Sequence, residues 1–282
     1  MSDRAELVRA LAVCAEAPTP GLPSVVAALG ISPAPTAAEH TDTFSLQLHP
    51  YASVHLGPEG RLGGIAGDRV AGFLRALDAS APTEPDHLAT LLGAYAELLD
   101  RDEDGPATRT HHARAALFHE HLWPWVPRFA WRATEVAATP YRQWARLLAA
   151  VLADEAAELP PPPARLSAHL RDAPVLPDPR TSDPADFLAG LLAPVRSGLI
   201  LTRTDMARAA TELGLGLRLG ERAFMLRSLL GQDASATLAF LAREAHRQHD
   251  LVPGDDRTAT FWRARLASTA ALLEMLATDG DR

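Results

Sequence analysis

The sequence predicts an all-α protein, because apolar residues recur at spacings of three and four while alternating β-branched runs are nearly absent. Two alternating runs, Thr43 to Leu48 and Ser53 to Leu56, are too short to build a sheet. The helical spacing is found in Leu7, Leu11 and Cys14; Val70, Phe73, Leu74 and Leu77; Tyr141, Trp144, Leu148 and Leu152; Met206, Ala209, Ala210 and Leu213; and Trp262, Leu266, Leu273 and Leu276. We therefore expect a bundle of many amphipathic helices.

Proline and capping residues mark where several of these helices begin. Thr139-Pro140 and Asp183-Pro184 each place a capping residue before a proline that suits the first helical position. These pairs predict helices that start at Pro140 and Pro184.

The stretch TEPDHLATLLGAYAELL, Thr83 to Leu99, predicts a further helix with one unexpected residue. Glu84 and Asp86 suit its start, since a carboxylate caps free N–H groups and is attracted by the positive end of the helix dipole. A protonated His87 in the same place would be repelled by that dipole. Its presence therefore calls for an explanation other than helix stability.

The composition excludes several classes of function. The formal net charge of −8 disfavours a nucleic-acid backbone as the main partner and favours a cationic one. All 27 basic residues are arginine, so a Walker A lysine and a Schiff-base lysine are excluded. Cys14 is the single cysteine, which fits a reducing compartment. With no recognisable signal peptide and no long apolar run, we expect a cytoplasmic protein.

A proline-rich stretch predicts the domain organisation. Residues 156–183 contain PPPP and three further prolines with little periodicity, which is typical of a linker. We expect a helical domain over residues 1–155, this linker, and a C-terminal helical region over residues 184–282. Four of the five tryptophans and nine of the eleven histidines precede residue 184, so site-like chemistry concentrates in the first domain.

The segment RTHHARAALFHEHLWPWVPRF, Arg109 to Phe129, holds the densest cluster of unusual side chains. His112 and His119 would share a helix face near Glu120, so one alternative is a small metal-dependent enzyme built on His112, His119 and His121. However, HExxH is absent and no cysteine or second carboxylate lies at ligand spacing. We expect neither a metal site nor an enzyme.

The aromatic residues at the end of this segment allow two interpretations. Pro124 and Pro127 should stop or kink the helix, beside the large apolar side chains of Trp123, Trp125 and Phe129. These side chains either pack the core where two helices meet, or form the floor of an apolar groove for a peptide. Composition does not separate the two.

The C-terminal region contains a pattern similar to a helix-turn-helix. One helix should run from Thr204 to Gly214 and a second should begin near Gly220. Arginines for reading DNA would be Arg218, Arg222 and Arg227, but Glu212 and Glu221 lie alongside them, and no dimerisation heptads or second basic patch follow. A nucleic-acid-binding regulator is therefore the alternative function, and a pure scaffold of packed helices is another.

Four segments, in order, resemble the TorD-like, or DmsD/NarJ-like, redox-enzyme maturation chaperones. PYASVHLGPEGRLGG is similar to the family's Pro-Tyr-x-Ser-Val-Tyr segment, with His55 in place of tyrosine, and EPDHL is similar to its Glu-x-Asp-His hallmark. FHEHLWPWVPRF and PYRQWARLLAAVLADE are similar to the two helices that follow. The resemblance covers roughly Phe44 to Glu155. Leu91-Leu92 replaces a frequent Glu-Leu, and the C-terminal region suggests an extended form of the family.

The resemblance implies a TorD-like bundle and a cofactor-free chaperone, monomeric or dimeric. It would bind the twin-arginine leader or apo form of a molybdopterin-dependent oxidoreductase subunit until cofactor insertion and export. The implied peptide-binding residues are Tyr51, Ser53, Glu84, Asp86, His87, His121, Trp125 and Phe129. Carboxylates beside an apolar, aromatic groove suit paired arginines and an apolar stretch. On this hypothesis Asp86 accepts a guanidinium and neutral His87 hydrogen-bonds the leader backbone, whereas the alternative is that His87 only caps or packs locally.

Overall fold

A computed structural model describes residues 2–77, 82–101, 109–159 and 166–279. Within these residues all regular structure is helical, and one isolated antiparallel bridge joins Tyr51 to His87. The all-α prediction is therefore confirmed. No helix in the described part of the chain has the length and apolar character needed to cross a bilayer.

The described residues form two compact units. Unit 1 comprises residues 1–54 and 62–171, and unit 2 comprises residues 55–61 and 172–282. Residues 160–165, within the predicted linker, lie outside the described residues. The predicted boundaries, 1–155, 156–183 and 184–282, stay a prediction.

Unit 1 is built from helices, most of which cover a stretch where apolar residues recur every three or four positions. Its elements are α1 (Asp3–Ala15), α2 (Leu22–Ala28), α3 (Ala37–His40), the π-helix π1 (Thr41–Gln47), α4 (Ala52–Leu56), α5 (Gly64–Ala76), α6 (Leu88–Arg101), α7 (Arg109–Ala116), the π-helix π2 (Leu117–Leu122), α8 (Val126–Val136), α9 (Thr139–Glu158) and α10 (Ala168–Arg171). The last two residues of α4, after Val54, are assigned to unit 2. The two short alternating runs do not build a sheet, as predicted: Thr43 to Leu48 lies in π1 and the residue after it, and Ser53 to Leu56 lies in α4.

The core of unit 1 lies where α1 packs on α6 and α8 packs on α9. The indole of Trp144 is buried and donates a hydrogen bond to the carbonyl of Leu11 at 3.0 Å, which ties α9 to α1. The buried carboxylate of Glu155 accepts a hydrogen bond from Tyr95 and forms an ion pair with Arg4. Burying a charge is costly unless it is paired, so these contacts hold three helices together through one satisfied group.

Unit 2 is a second set of packed helices, in which α15 and α16 form the longest interface. Its helices are α11 (Pro184–Leu191), α12 (Pro194–Ser197), α13 (Arg203–Leu213), α14 (Arg222–Gln232), α15 (Ala234–Asp250) and α16 (Arg257–Asp279). Buried Glu244 bonds Arg247, Gln248 and Arg208, and these bonds outweigh burial and lower its pKa to about 2.

The helix starts and stops show how well local signals work. Asp183 caps α11, its carboxylate accepting from the N–H of Ala185 at 2.8 Å, as predicted. The cap predicted at Thr139 is wrong by one residue, because Thr139 is already helical and extended Ala138 precedes it. The two helices predicted around Gly214 are confirmed as α13 and α14, and Gly214 ends the first in a left-handed conformation with φ 67°. A role for this pair in reading nucleic acid stays a prediction.

Candidate peptide-binding site

Two segments of unit 1 that are distant in sequence lie side by side at the start of α6. The N–H of Ala52 donates to the carbonyl of Asp86 at 2.9 Å, and the N–H of Leu88 donates to the carbonyl of Pro50 at 2.8 Å. These bonds form the bridge between Tyr51 and His87. They bring two motifs of the family resemblance, PYAS and EPDH, into one place.

Asp86 is the buried anchor of this arrangement. Its side chain is 5% exposed, and its Oδ2 accepts a hydrogen bond from the backbone N–H of Ser53 at 2.8 Å. Ser53 in turn accepts from the N–H of Gly63 at 3.1 Å through its hydroxyl. The prediction that Asp86 caps α6 is therefore wrong, because its carboxylate accepts from the backbone N–H of Ser53 instead.

His87 takes over the capping of α6. Its Nδ1 accepts a hydrogen bond from the N–H of Ala89 at 3.1 Å, and its ring meets the Tyr51 ring edge to face at 4.7 Å. Burial lowers the pKa of His87, against the opposing charges of Glu84, Glu16 and Asp86. A neutral imidazole that accepts at Nδ1 carries its proton on Nε2. The helix dipole therefore imposes no penalty, and local capping explains why a histidine is compatible with this position.

Glu84 is the exposed carboxylate of the group. Its Oε1 accepts the hydroxyl hydrogen of Tyr51 at 2.8 Å, and its carbonyl accepts from the hydroxyl of Thr90 at 2.9 Å. Burial, this hydrogen bond and the nearby acidic charges raise the pKa of Tyr51 to about 12, so the phenol remains a donor. Among the described residues Glu84 Oε2 has no hydrogen-bond partner, which leaves one carboxylate oxygen open to solvent.

Two residues near this group were not predicted from the sequence. The charge of Glu16, an exposed residue that ends α1, raises the pKa of His87, and His40 lowers it. Both therefore lie within electrostatic range of the imidazole. Nothing in their local sequence marks them, because only the tertiary packing brings the end of α1 and the end of α3 near the start of α6.

His121 lies in a different environment of unit 1. It is buried in π2, its ring is 5.0 Å from that of Phe73, and its Nδ1 lies 3.3 Å from Nε2 of His169. Burial, with a smaller contribution from the charge of Arg69, lowers its pKa to about 4. Its side chain contacts Phe73 and His169, and its predicted role in peptide binding stays a prediction.

Trp125 and Phe129 are fully buried in the core of unit 1. The indole N–H of Trp125 donates to the carbonyl of His121 at 2.8 Å, and its ring meets Phe129 at 5.5 Å. Phe129 also stacks on Phe44 at 6.3 Å. Of the two interpretations of WPWVPRF, this structure has the aromatics as core packing. A peptide could touch these two rings only after the core had opened, so their predicted role in binding stays a prediction.

The histidine cluster does not form a metal site in the part of the chain that the structure describes. No group of three or more histidine, cysteine or acidic side chains is placed to hold a metal there. His112 is exposed on α7, whereas His119 packs its ring against Phe118 at 5.0 Å. Glu120 accepts from the N–H of Ala168 at 2.9 Å and so holds the start of α10.

Comparison with known families finds a similarity over part of the chain. The model of the family described as "Nitrate reductase delta subunit" matches residues 29–130. This match confirms the resemblance to the TorD/DmsD/NarJ-like chaperones over the segment that holds the Tyr51–His87 site. The family is one of redox-enzyme maturation chaperones, which are not catalysts. Among curated proteins none matches the chain significantly.

Proposed function

We propose that this chain is a cytoplasmic assembly chaperone that binds the twin-arginine leader of a molybdopterin-dependent oxidoreductase subunit. It holds that subunit, in its apo form, until the cofactor is inserted and export can begin. The family match over residues 29–130 supports the chaperone class. The observation that carries leader binding is the exposed carboxylate of Glu84 beside the ring of Tyr51.

The charges of this site suit a leader with paired arginines. Glu84 and Glu16 are both exposed and both act on His87, so a guanidinium that approaches the imidazole meets two carboxylates. A guanidinium binds carboxylates through charge-assisted hydrogen bonds and stacks on an aromatic face. Tyr51 supplies such a face, and the net charge of −8 favours encounter with a cationic segment.

The contacts of the two carboxylates in the EPDH motif indicate different roles for them. We assign direct contact with the leader to Glu84, because it is exposed and has an open oxygen. We assign a positioning role to Asp86, because its bond to the Ser53 N–H orders the segment that presents Tyr51. This division revises the expectation that Asp86 itself receives the guanidinium.

Calorimetric titration with a synthetic leader tests the proposal. The ligands are a twin-arginine leader of a molybdopterin-dependent oxidoreductase subunit and the same peptide with both arginines replaced by glutamine. We expect a Kd of about 1 μM or tighter for the first, and binding at least about tenfold weaker for the second. Equal affinity for both peptides would refute arginine recognition.

Matched variants locate the contact. Glu84→Gln should weaken leader binding about tenfold, since it removes a charge and keeps the shape. Asp154→Asn removes one exposed charge from α9 of the same unit and should leave the affinity unchanged. If both variants behave like the wild type, the leader binds elsewhere.

A further inference from the structure

A second surface, in unit 2, combines exposed apolar side chains with unpaired arginines. Leu219 is 74% exposed in the loop between α13 and α14, and Phe224 is 43% exposed in the first turn of α14. Phe224 lines a groove of about 350 Å³ together with Arg218, Arg227, Ser228, Gly231 and Gln232. An isolated exposed leucine is ordinary, whereas an exposed phenylalanine that lines a groove beside two arginines marks a surface that binds something.

The arginines of this groove differ from most others in unit 2. Arg208, Arg243 and Arg247 each form ion pairs with glutamates. Arg218 and Arg227, by contrast, make no hydrogen bond or ion pair with any residue that the structure describes. The chain has a net charge of −8, but the two unpaired guanidinium groups give this groove a positive charge. It complements a ligand that carries carboxylates.

One side chain holds the groove in shape. The amide of Gln232 accepts from the N–H of Gly216 and donates to the carbonyl of Gly216, both at 2.8 Å, so the loop is tied to the last turn of α14. At Gly220 a Cβ atom would lie 2.8 Å from Cδ1 of Phe224, so glycine leaves the room that this ring occupies. A groove ordered before binding costs less conformational entropy when a ligand arrives.

The shape and charge point to one kind of occupant. Ser228 and Gly231 are small and face the groove, which leaves space for one large apolar side chain between Phe224 and the two arginines. Duplex DNA fits less well, because Glu221 stands beside the groove and Arg222 is committed to the carbonyl of Leu201 at 2.9 Å. A phosphate backbone requires a broad basic surface rather than a small apolar groove.

The geometry points to a docking site for an acidic peptide segment of a partner protein, in which carboxylates flank one large apolar residue. The carboxylates bind Arg218 and Arg227, and the apolar residue enters the groove against Phe224. The site lies outside residues 29–130 and needs none of the residues that we assign to leader binding. It would give the chaperone a second hold, of opposite charge, on a client or an assembly factor.

Selection of peptides on the full-length protein tests this inference. A random-peptide phage library is panned on the wild type, and the enriched peptides are measured by fluorescence anisotropy. We expect sequences rich in Asp and Glu around an aromatic or leucine residue. Their binding should weaken at least about tenfold in Arg218→Gln/Arg227→Gln and in Phe224→Ala. The control Arg75→Gln/Arg146→Gln removes two exposed arginines of unit 1 and should bind normally.

Three results would overturn the inference. The first is enrichment of peptides without an acidic excess, or of peptides that bind the Arg218→Gln/Arg227→Gln variant as tightly as the wild type. The second is binding of a mixed-sequence DNA duplex that depends on these arginines while no acidic peptide is enriched. The third is a wild-type dimer in analytical ultracentrifugation that the double variant abolishes, because a second copy would then occupy the groove. None of these results bears on the leader titration, so the two proposals fail separately.

Discussion

The Tyr51–His87 site of unit 1 and the groove that Arg218 and α14 form in unit 2 are each ordered by a side chain that hydrogen-bonds the backbone, but the two surfaces carry opposite charge. In the first, Asp86 accepts a hydrogen bond from the backbone of Ser53, and the exposed carboxylates of Glu84 and Glu16 lie around the ordered segment. In the second, the amide of Gln232 hydrogen-bonds both backbone groups of Gly216, and the unpaired Arg218 and Arg227 line the groove beside it. In both proposals, the side chain that orders the surface is a different residue from the side chains to which we assign ligand contact.

The largest effect should come from removing the buried anchor. Asp86→Ala leaves the Ser53 N–H without its partner inside the protein, so we expect the free energy of unfolding to fall by about 3 kcal/mol. Urea denaturation measures the change. Asp86→Asn keeps an acceptor oxygen and should lose clearly less. If alanine and asparagine are equally mild, Asp86 does not order the loop.

Acid should destabilise the two units in different pH ranges. Burial lowers the pKa of His121 to about 4, so between about pH 6.5 and pH 4 the unfolded chain binds more protons than the folded one. Stability from His121 is therefore complete above pH 6.5 and falls by about 2 kcal/mol at pH 5. The lowered pKa of Glu244 places the corresponding loss in unit 2 between about pH 4.5 and pH 2.

Urea unfolding at pH 7 and at pH 5 checks the first range. Trp262 is the only tryptophan of the 282 residues in unit 2, so Trp262→Phe makes fluorescence report unit 1 alone. His121→Gln should shrink the difference between the two pH values by about 2 kcal/mol. An unchanged difference would mean that other groups carry the acid sensitivity.

The amide clamp of unit 2 should contribute less than the Asp86 anchor, because it is exposed. Gln232→Ala should cost about 1 kcal/mol of unfolding free energy, since water can replace both hydrogen bonds. Gln143 clamps Ser32 of unit 1 in the same way, at 2.9 and 3.1 Å, and its alanine variant should cost a similar amount.

A third clamp separates burial from geometry. Gln248 bonds both backbone groups of Ile200, at 3.0 and 3.2 Å, but is fully buried. Gln248→Ala should therefore cost about 1 kcal/mol more than Gln232→Ala in thermal or urea unfolding. Equal costs for all three glutamines would show that burial does not set the value of these bonds.

The smallest effect on stability should come from the residue that we assign to the ligand. Glu84→Gln removes an exposed charge and keeps an acceptor for the Tyr51 hydroxyl, so the free energy of unfolding should change by less than about 0.5 kcal/mol. Together with the expected loss of leader affinity, this result would show that Glu84 contacts the leader but does not stabilise the fold. A loss of stability as large as that of Asp86→Ala would instead make Glu84 structural.

The sequence predicted most of the local structure and the class of protein. Helical spacing located α1, α5, α9, α13 and α16, and Asp183 and Gly214 marked a helix start and a helix end. The motifs around Tyr51 and His87 indicated a resemblance to the family whose model matches residues 29–130. These signals are local, since a helix, a cap or a short motif depends on residues within a few positions of one another.

Only the tertiary structure decided which of the predicted site residues face solvent. It buried Asp86, Trp125 and Phe129 and left Glu84 exposed, and it brought Glu16 near His87. His87 rather than Asp86 caps α6, because the carboxylate of Asp86 binds the N–H of Ser53, which is distant in sequence. Burial and long-range hydrogen bonds depend on how helices pack. The periodicity of one helix specifies which of its faces is apolar, but not which partner covers that face.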